Sequence, residues 1–159
     1  MADTAIMKGK DAISGSLAKC FVTIEGKRFN FMQAINVKAE MEKNKVEVPI
    51  LGKTGKGNKA AGWKGTGNAT FHFNTSIFRE VLQEYTRTGK DLYFDMQIVN
   101  EDPTASVDKQ TIMLIDCNLD GGIIAQFDAD ADYLEDEFDF TFEDWKLVDK
   151  FKQLDGMNR

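Results

Sequence analysis

The first stretch able to do chemistry is Gly52-Lys53-Thr54-Gly55-Lys56-Gly57-Asn58-Lys59, which follows an apparent strand. A phosphate-cradling loop needs clustered backbone N–H groups and a Lys followed at once by Ser or Thr. Asn58 stands where that Lys belongs, Lys59 is followed by Ala60, and the next amphipathic stretch starts too late to offer a helix N-terminus. A flexible basic loop is the simpler account. Asp128, Asp130 and Asp132 have the spacing of a calcium loop, but its turn glycine and bidentate Glu are replaced by Tyr133 and Asp139. Asp alternating on the wet face of a strand explains the spacing more simply. His72 is the only histidine, which excludes a His pair or a His-based triad within one chain. Cys20 and Cys117 are too few for a disulfide framework and sit on alternating segments, as small hydrophobes do. Carboxylates are too abundant to single out a general acid and base. The residues give no argument for an enzyme, a cofactor or a metal.

The arrangement of charge stands out more than any motif. The chain of 159 residues carries a net charge of −6, which argues against a surface built to coat nucleic acid. From Val48 to Phe78 there is no acid, and Lys53, Lys56, Lys59 and Lys64 give that segment a charge of +4. From Gln110 to Trp145 there is no Lys or Arg, and the acids sum to −11. Unlike blocks on one chain suit heterologous self-association, in which one patch meets a different patch on the next copy. No apolar run approaches the ~20 residues that span a bilayer, and Met1 to Lys10 lacks the apolar core of a signal peptide. The length fits a single domain over residues 1–159.

Period-two alternation dominates the elements that would position these groups. Cys20, Val22 and Ile24 form a strand that turns at Glu25-Gly26-Lys27 into a long one running from Phe29 to Met41. After Glu42-Lys43-Asn44-Lys45 the apolar parity moves to Val46, Val48 and Ile50, as a bulge would cause. Residues 51–67 hold six glycines and four lysines, with Trp63 as the sole aromatic, and read as a long loop of functional weight. Alternation resumes at Ala69, Phe71 and Phe73. Ile77, Phe78, Val81, Leu82 and Tyr85 form an amphipathic helix, with Asn74 to Ser76 at its cap and Gly89 at its stop. Strands follow from Leu92 to Ile98, Lys109 to Leu119, Ile123 to Asp130 and Glu137 to Glu143, with a short C-terminal helix using Leu147, Val148, Phe151 and Leu154. The expected fold is mainly β (α+β), an antiparallel β-sandwich or small β-barrel with one flanking α-helix and a long Gly/Lys-rich loop.

The sequence resembles the tail tube proteins of PBSX-type (XkdM-like) phages and of phage-tail-like, R-type bacteriocins. The resemblance rests on Ile13-Ser14-Gly15, Glu42-Lys43-Asn44-Lys45 with Glu47-Val48, Gly65-Thr66-Gly67 before Ala69-Thr70-Phe71, Thr75-Ser76 with Phe78, and Phe140-Thr141-Phe142-Glu143-Asp144. It implies a non-catalytic structural subunit without cofactor, forming hexameric rings that stack head to tail into a hollow tube inside a contractile sheath. The implied partners are other copies of the chain, the sheath protein, a baseplate or tube initiator and a tail terminator, with DNA only passing through. The implied location is the virion tail or bacteriocin particle, assembled in the bacterial cytoplasm. By position, Lys53, Lys56, Lys59, Trp63 and Lys64 are candidates for an inter-ring stacking loop. Asp128, Asp130 and Asp132 are candidates for lumen-facing or interface acids. The alternative is a monomeric β-barrel module that binds an oligosaccharide or peptide through Trp63 and the phenylalanines.

Overall fold

The computed structural model describes residues 6–157. The described residues form β1 (Ala18–Ile24), β2 (Lys27–Asn30), β3 (Ala34–Pro49), β4 (Lys56–His72), α1 (Ile77–Thr88), β5 (Phe94–Glu101), β6 (Lys109–Leu119), β7 (Glu135–Phe142) and β8 (Asp144–Asp149). The strand path β2-β1-β5-β6-β7-β4-β3, with β8 on β6, ends at β2 and β3, so the sheet does not close into a barrel. The chain packs into two compact units, one built from residues up to Met32 with Phe94–Ile115 and the residues from Trp145, the other from Gln33–Tyr93 and Asp116–Asp144.

In the first unit β1 turns through Glu25-Gly26 into β2 and pairs on its other side with β5, antiparallel in both cases. Alternation sends Cys20, Val22 and Ile24 to the buried side, where Val22 lies opposite Met96 and both are fully buried. Phe31 joins this core, its N–H donating to the Cys20 carbonyl at 2.9 Å. The N-terminal stretch is held by carboxylates. Asp102 accepts from the backbone N–H groups of Ser14 and Thr104, each at 3.0 Å. Asp11 accepts from the N–H and hydroxyl of Ser106, and these bonds hold its carboxyl below the usual range.

The second unit carries the longest strands. β4 pairs with β3 along its length and with β7 only from Gly65 to His72. Its core is aromatic: Phe71 meets the edge of Phe138 at 5.3 Å, and Phe78 of α1 lies 4.4 Å from Phe138. α1 buries Phe78 and Val81, and Gly89 in the left-handed conformation ends it. Arg79 is the polar tie of this unit. Its guanidinium donates to Asp136 at 3.2 Å, to the Ile123 carbonyl at 3.1 Å and to the Thr75 carbonyl, and lies over the Phe73 ring. The two side chains are only 18% and 3% exposed, so the pair is nearly dry. Lysine cannot serve three acceptors from one plane. Arg79→Lys is therefore expected to cost about 2 kcal/mol in urea unfolding, the scale of one lost charge-assisted bond.

Four sequence expectations need correction. Residues 51–67 are not a loop: only Leu51 to Gly55 lie between strands, and the rest is β4. The strand expected from Phe29 to Met41 breaks between Phe31 and Gln33, where the backbone leaves Cys20 and takes up His72, whose N–H donates to the Gln33 carbonyl. Ile123 to Asp130 is irregular, and the Ala131 N–H closes a turn on the Asp128 carbonyl at 3.2 Å. The C-terminal helix is absent, since Leu147 and Val148 lie in β8, paired with β6.

The glycines of β4 explain why it did not read as a strand. Ala39, Gly67 and Phe140 sit side by side across three strands, as do Met41, Gly65 and Phe142. A Cβ on Gly65 would lie 2.5 Å from the Phe142 ring and one on Gly67 would lie 2.4 Å from the Phe140 ring. Each phenyl ring thus occupies the space that its neighbour's side chain would fill.

Candidate functional site

Among the described residues β4 has only β3 to pair with beyond Gly65, so residues 42–64 form a two-stranded ribbon. Its residues are exposed, apart from the half-buried Gly57. A lone two-stranded hairpin is marginal in water, and three or more strands or a packed face are needed for independent stability. The ribbon nonetheless carries large apolar side chains in solvent: Val46, Val48, Ile50 and Leu51. Gly52, at φ 86, turns the chain, and the Lys53 N–H closes the turn on the Ile50 carbonyl at 3.2 Å.

A bulge lies midway along the ribbon. The partner of Lys43 is Trp63 and that of Lys45 is Ala60, so β4 carries one residue more than β3 here, with Gly62 at φ 110. The parity change expected around Asn44 coincides with this bulge. By strand alternation Val37, Ala39 and Met41 share the face of the aromatic core, whereas Val46, Val48 and Ile50 belong to the opposite face, the one that carries Lys38, Glu40 and Glu42 nearer the body. The apolar side of the strand changes over at the bulge.

The five candidates of the expected loop separate along the ribbon. Lys53 lies in the terminal turn, and Lys56 pairs with Glu47 at 3.6 Å, an exposed pair of small energetic weight. Lys59 stands opposite Val46 and Lys64 opposite Glu42. Trp63 is at the base, its ring 6.1 Å from Phe142, and so continues the aromatic row of the body. The acids Asp128, Asp130 and Asp132 are exposed, but not on the wet face of a strand. They belong to the irregular segment between β6 and β7, where the Asp128 carboxylate accepts from the Asp130 N–H at 3.1 Å. The acids on the wet face are Glu137 and Asp139 of β7, opposite Thr70 and Asn68. Among the described residues no ion pair joins the lysines of the ribbon to the three aspartates.

The other residues considered for chemistry occupy structural positions. His72 is exposed, with its ring 5.4 Å from that of Tyr133. Cys20 is buried, and desolvation pushes its thiol up to about 12. Sequence reasoning missed Ile124 and Phe127, which are among the most exposed large apolar residues. The available signal was their setting, apolar residues between Gly121-Gly122 and a run of acids with no basic residue.

A family described as "Phage tail tube protein" matches residues 5–149. The chain belongs to that family. The phage-like element PBSX protein XkdM of Bacillus subtilis is 36% identical over 144 residues, which cover 91% of this chain and 95% of that relative. Among solved structures, a chain in the tube-terminating cap of the anti-feeding prophage superposes with a TM-score of 0.64 at 10% identity, covering 91% of this tail tube protein and 94% of the other. A chain in the extended sheath-tube complex of the extracellular contractile injection system PVC gives 0.62 at 12% identity, covering 86% and 93%. At such identities the likeness concerns the fold, which this family member shares.

Proposed function

We propose that the chain is the inner-tube subunit of a contractile phage tail or phage-tail-like bacteriocin, forming hexameric rings that stack head to tail. The observation that carries this reading is the free β3–β4 ribbon, which bears apolar side chains and lysines in water and, among the described residues, has no third strand beside it. Such a ribbon gains stability only against a neighbour. The unpaired outer edge of β3 is a second surface that a neighbouring copy would satisfy. The sheath would enclose the tube, an initiator on the baseplate would start it, and a terminator would end it. The subunit itself would do no chemistry, serving as a conduit for DNA or ions as part of the virion tail or bacteriocin particle. The face that carries Lys38, Glu40, Glu137 and Asp139 suits a bore, because Lys38 is taken up by Glu40 at 3.0 Å and the remaining carboxylates repel the phosphates of passing DNA. Asp128, Asp130 and Asp132 lie off that face, which favours an interface role for them.

Negative-stain microscopy of the purified chain over a wide concentration range tests the reading. Rings or hollow rods are the expected outcome. A monomer at every concentration, by microscopy and light scattering, would sink it.

A further inference from the structure

The ribbon tip and the segment between β6 and β7 share an unusual property within the second unit: both hold large apolar side chains out in water. Leu51 is 103% exposed at the tip, while Phe127 and Ile124 are 92% and 79% exposed on the segment. Their charges are opposite. Val48 to Lys64 holds four lysines and no acid, and Asp120 to Leu134 holds Asp120, Asp128, Asp130 and Asp132 and no base. Neither surface is self-complementary, since tip against tip would oppose lysines and segment against segment would oppose aspartates.

The segment is also held in place from its own side. Arg79 takes the Ile123 carbonyl, and the Gln126 amide donates to the Glu135 carbonyl. Phe127 therefore follows two residues tied to the body, one by its carbonyl and one by its side chain, which lowers the ordering cost of docking there. Beside it, Ile124 borders an open cleft of about 800 Å³ along α1, where Leu82 is the other apolar lining residue and Arg79, Glu80 and Arg87 bring charge. That cleft can take a side chain of the size of Leu51.

We propose that the ribbon tip of one copy docks on the Ile124–Asp132 segment of the next copy, with Leu51 against Ile124 and Phe127 and with Lys53 and Lys59 facing Asp128, Asp130 and Asp132. This rests on the tube reading and names the receptor for the ribbon, which that reading leaves open. The contact is heterologous, so each copy keeps one tip and one segment free for further neighbours.

Leu51→Cys and Phe127→Cys in one full-length chain test the pairing, against a quiet background because Cys20 and Cys117 are buried. Mild oxidation of the assembled double variant should give a ladder of covalent multimers on a non-reducing gel. A mixture of the two single variants should stop at dimers. In a second arm, Lys53→Glu with Lys59→Glu should lower the pelletable assembled fraction at least about tenfold, because like charges across a contact cost several kcal/mol. Adding Asp128→Lys and Asp130→Lys to that chain should restore it. Tubes that form without a ladder and without charge rescue would place the receptor elsewhere and leave the tube reading standing. A wild-type chain that never assembles would overturn both.

Discussion

Replacing Val46–Lys59 by a two-residue Asn-Gly turn is expected to leave a folded, soluble subunit that makes no tubes. The cut falls where Lys45 pairs with Ala60, so the shortened hairpin closes on an existing rung, and Asn-Gly supplies the type I′ geometry that two-residue hairpins prefer. Nothing of the aromatic core is touched, because Phe71, Phe78, Phe138 and Phe140 lie outside the excised stretch. The removed residues expose apolar area in the free subunit, and the thermal midpoint should stay within a few degrees or rise. Sedimentation and electron microscopy would then find single subunits or isolated rings where the parent chain gives rods. Rods of normal length from the shortened chain would show that the ribbon is dispensable and that stacking is carried by another surface.

Gly67→Ala is expected to be the most damaging methyl that can be added to the sheet. The new carbon would lie 2.4 Å from the Phe140 ring and 2.9 Å from the Lys38 carbonyl oxygen. The ring is fully buried in a close-packed core, and the carbonyl belongs to the neighbouring strand. Relief therefore requires Phe140 to leave the core or β3 and β4 to part. Losing the ring's packing sets the scale at about 3–5 kcal/mol, a large part of the stability of a chain this size. Gly55→Ala, where nothing lies within 4 Å of the new Cβ, is the matched control and should change little. The mechanism has its own signature in a double-mutant cycle. Gly67→Ala combined with Phe140→Ala should cost clearly less than the sum of the two, because the clash disappears with the ring. Additive losses would mean that the strain lies in the backbone alone.

Those same glycines show where the sequence stopped being legible. Alternation identifies a strand by its side chains, and β4 borrows two of its own from β7, so Gly65 and Gly67 remove the signal while the pairing persists. Local rules worked where the cause was local. The Glu25-Gly26 turn, the helix ended by Gly89, and the bounds of β6 from Lys109 to Leu119 all appear as their residues predict. They failed where partners decide. The chain changes strands between Phe31 and Gln33 within an unbroken apolar pattern, and Leu147 and Val148 extend beside β6 because it offers an edge. Ile123 to Asp130 alternates well enough for a strand, yet Arg79 and the turn at Asp128 take its backbone groups. Of the candidate residues, the lysines were found as a group, but their order along a ribbon was not, since glycine-rich composition says nothing about register.

The two sulfhydryls of the chain are both sealed in the interior, and that of Cys20 stays protonated at any pH a cell or its surroundings impose. With both thiols buried and unpaired, the chain's cysteines have the same state in a reducing cytoplasm and in an aerated medium. A tube made from it would need no disulfide formation to mature.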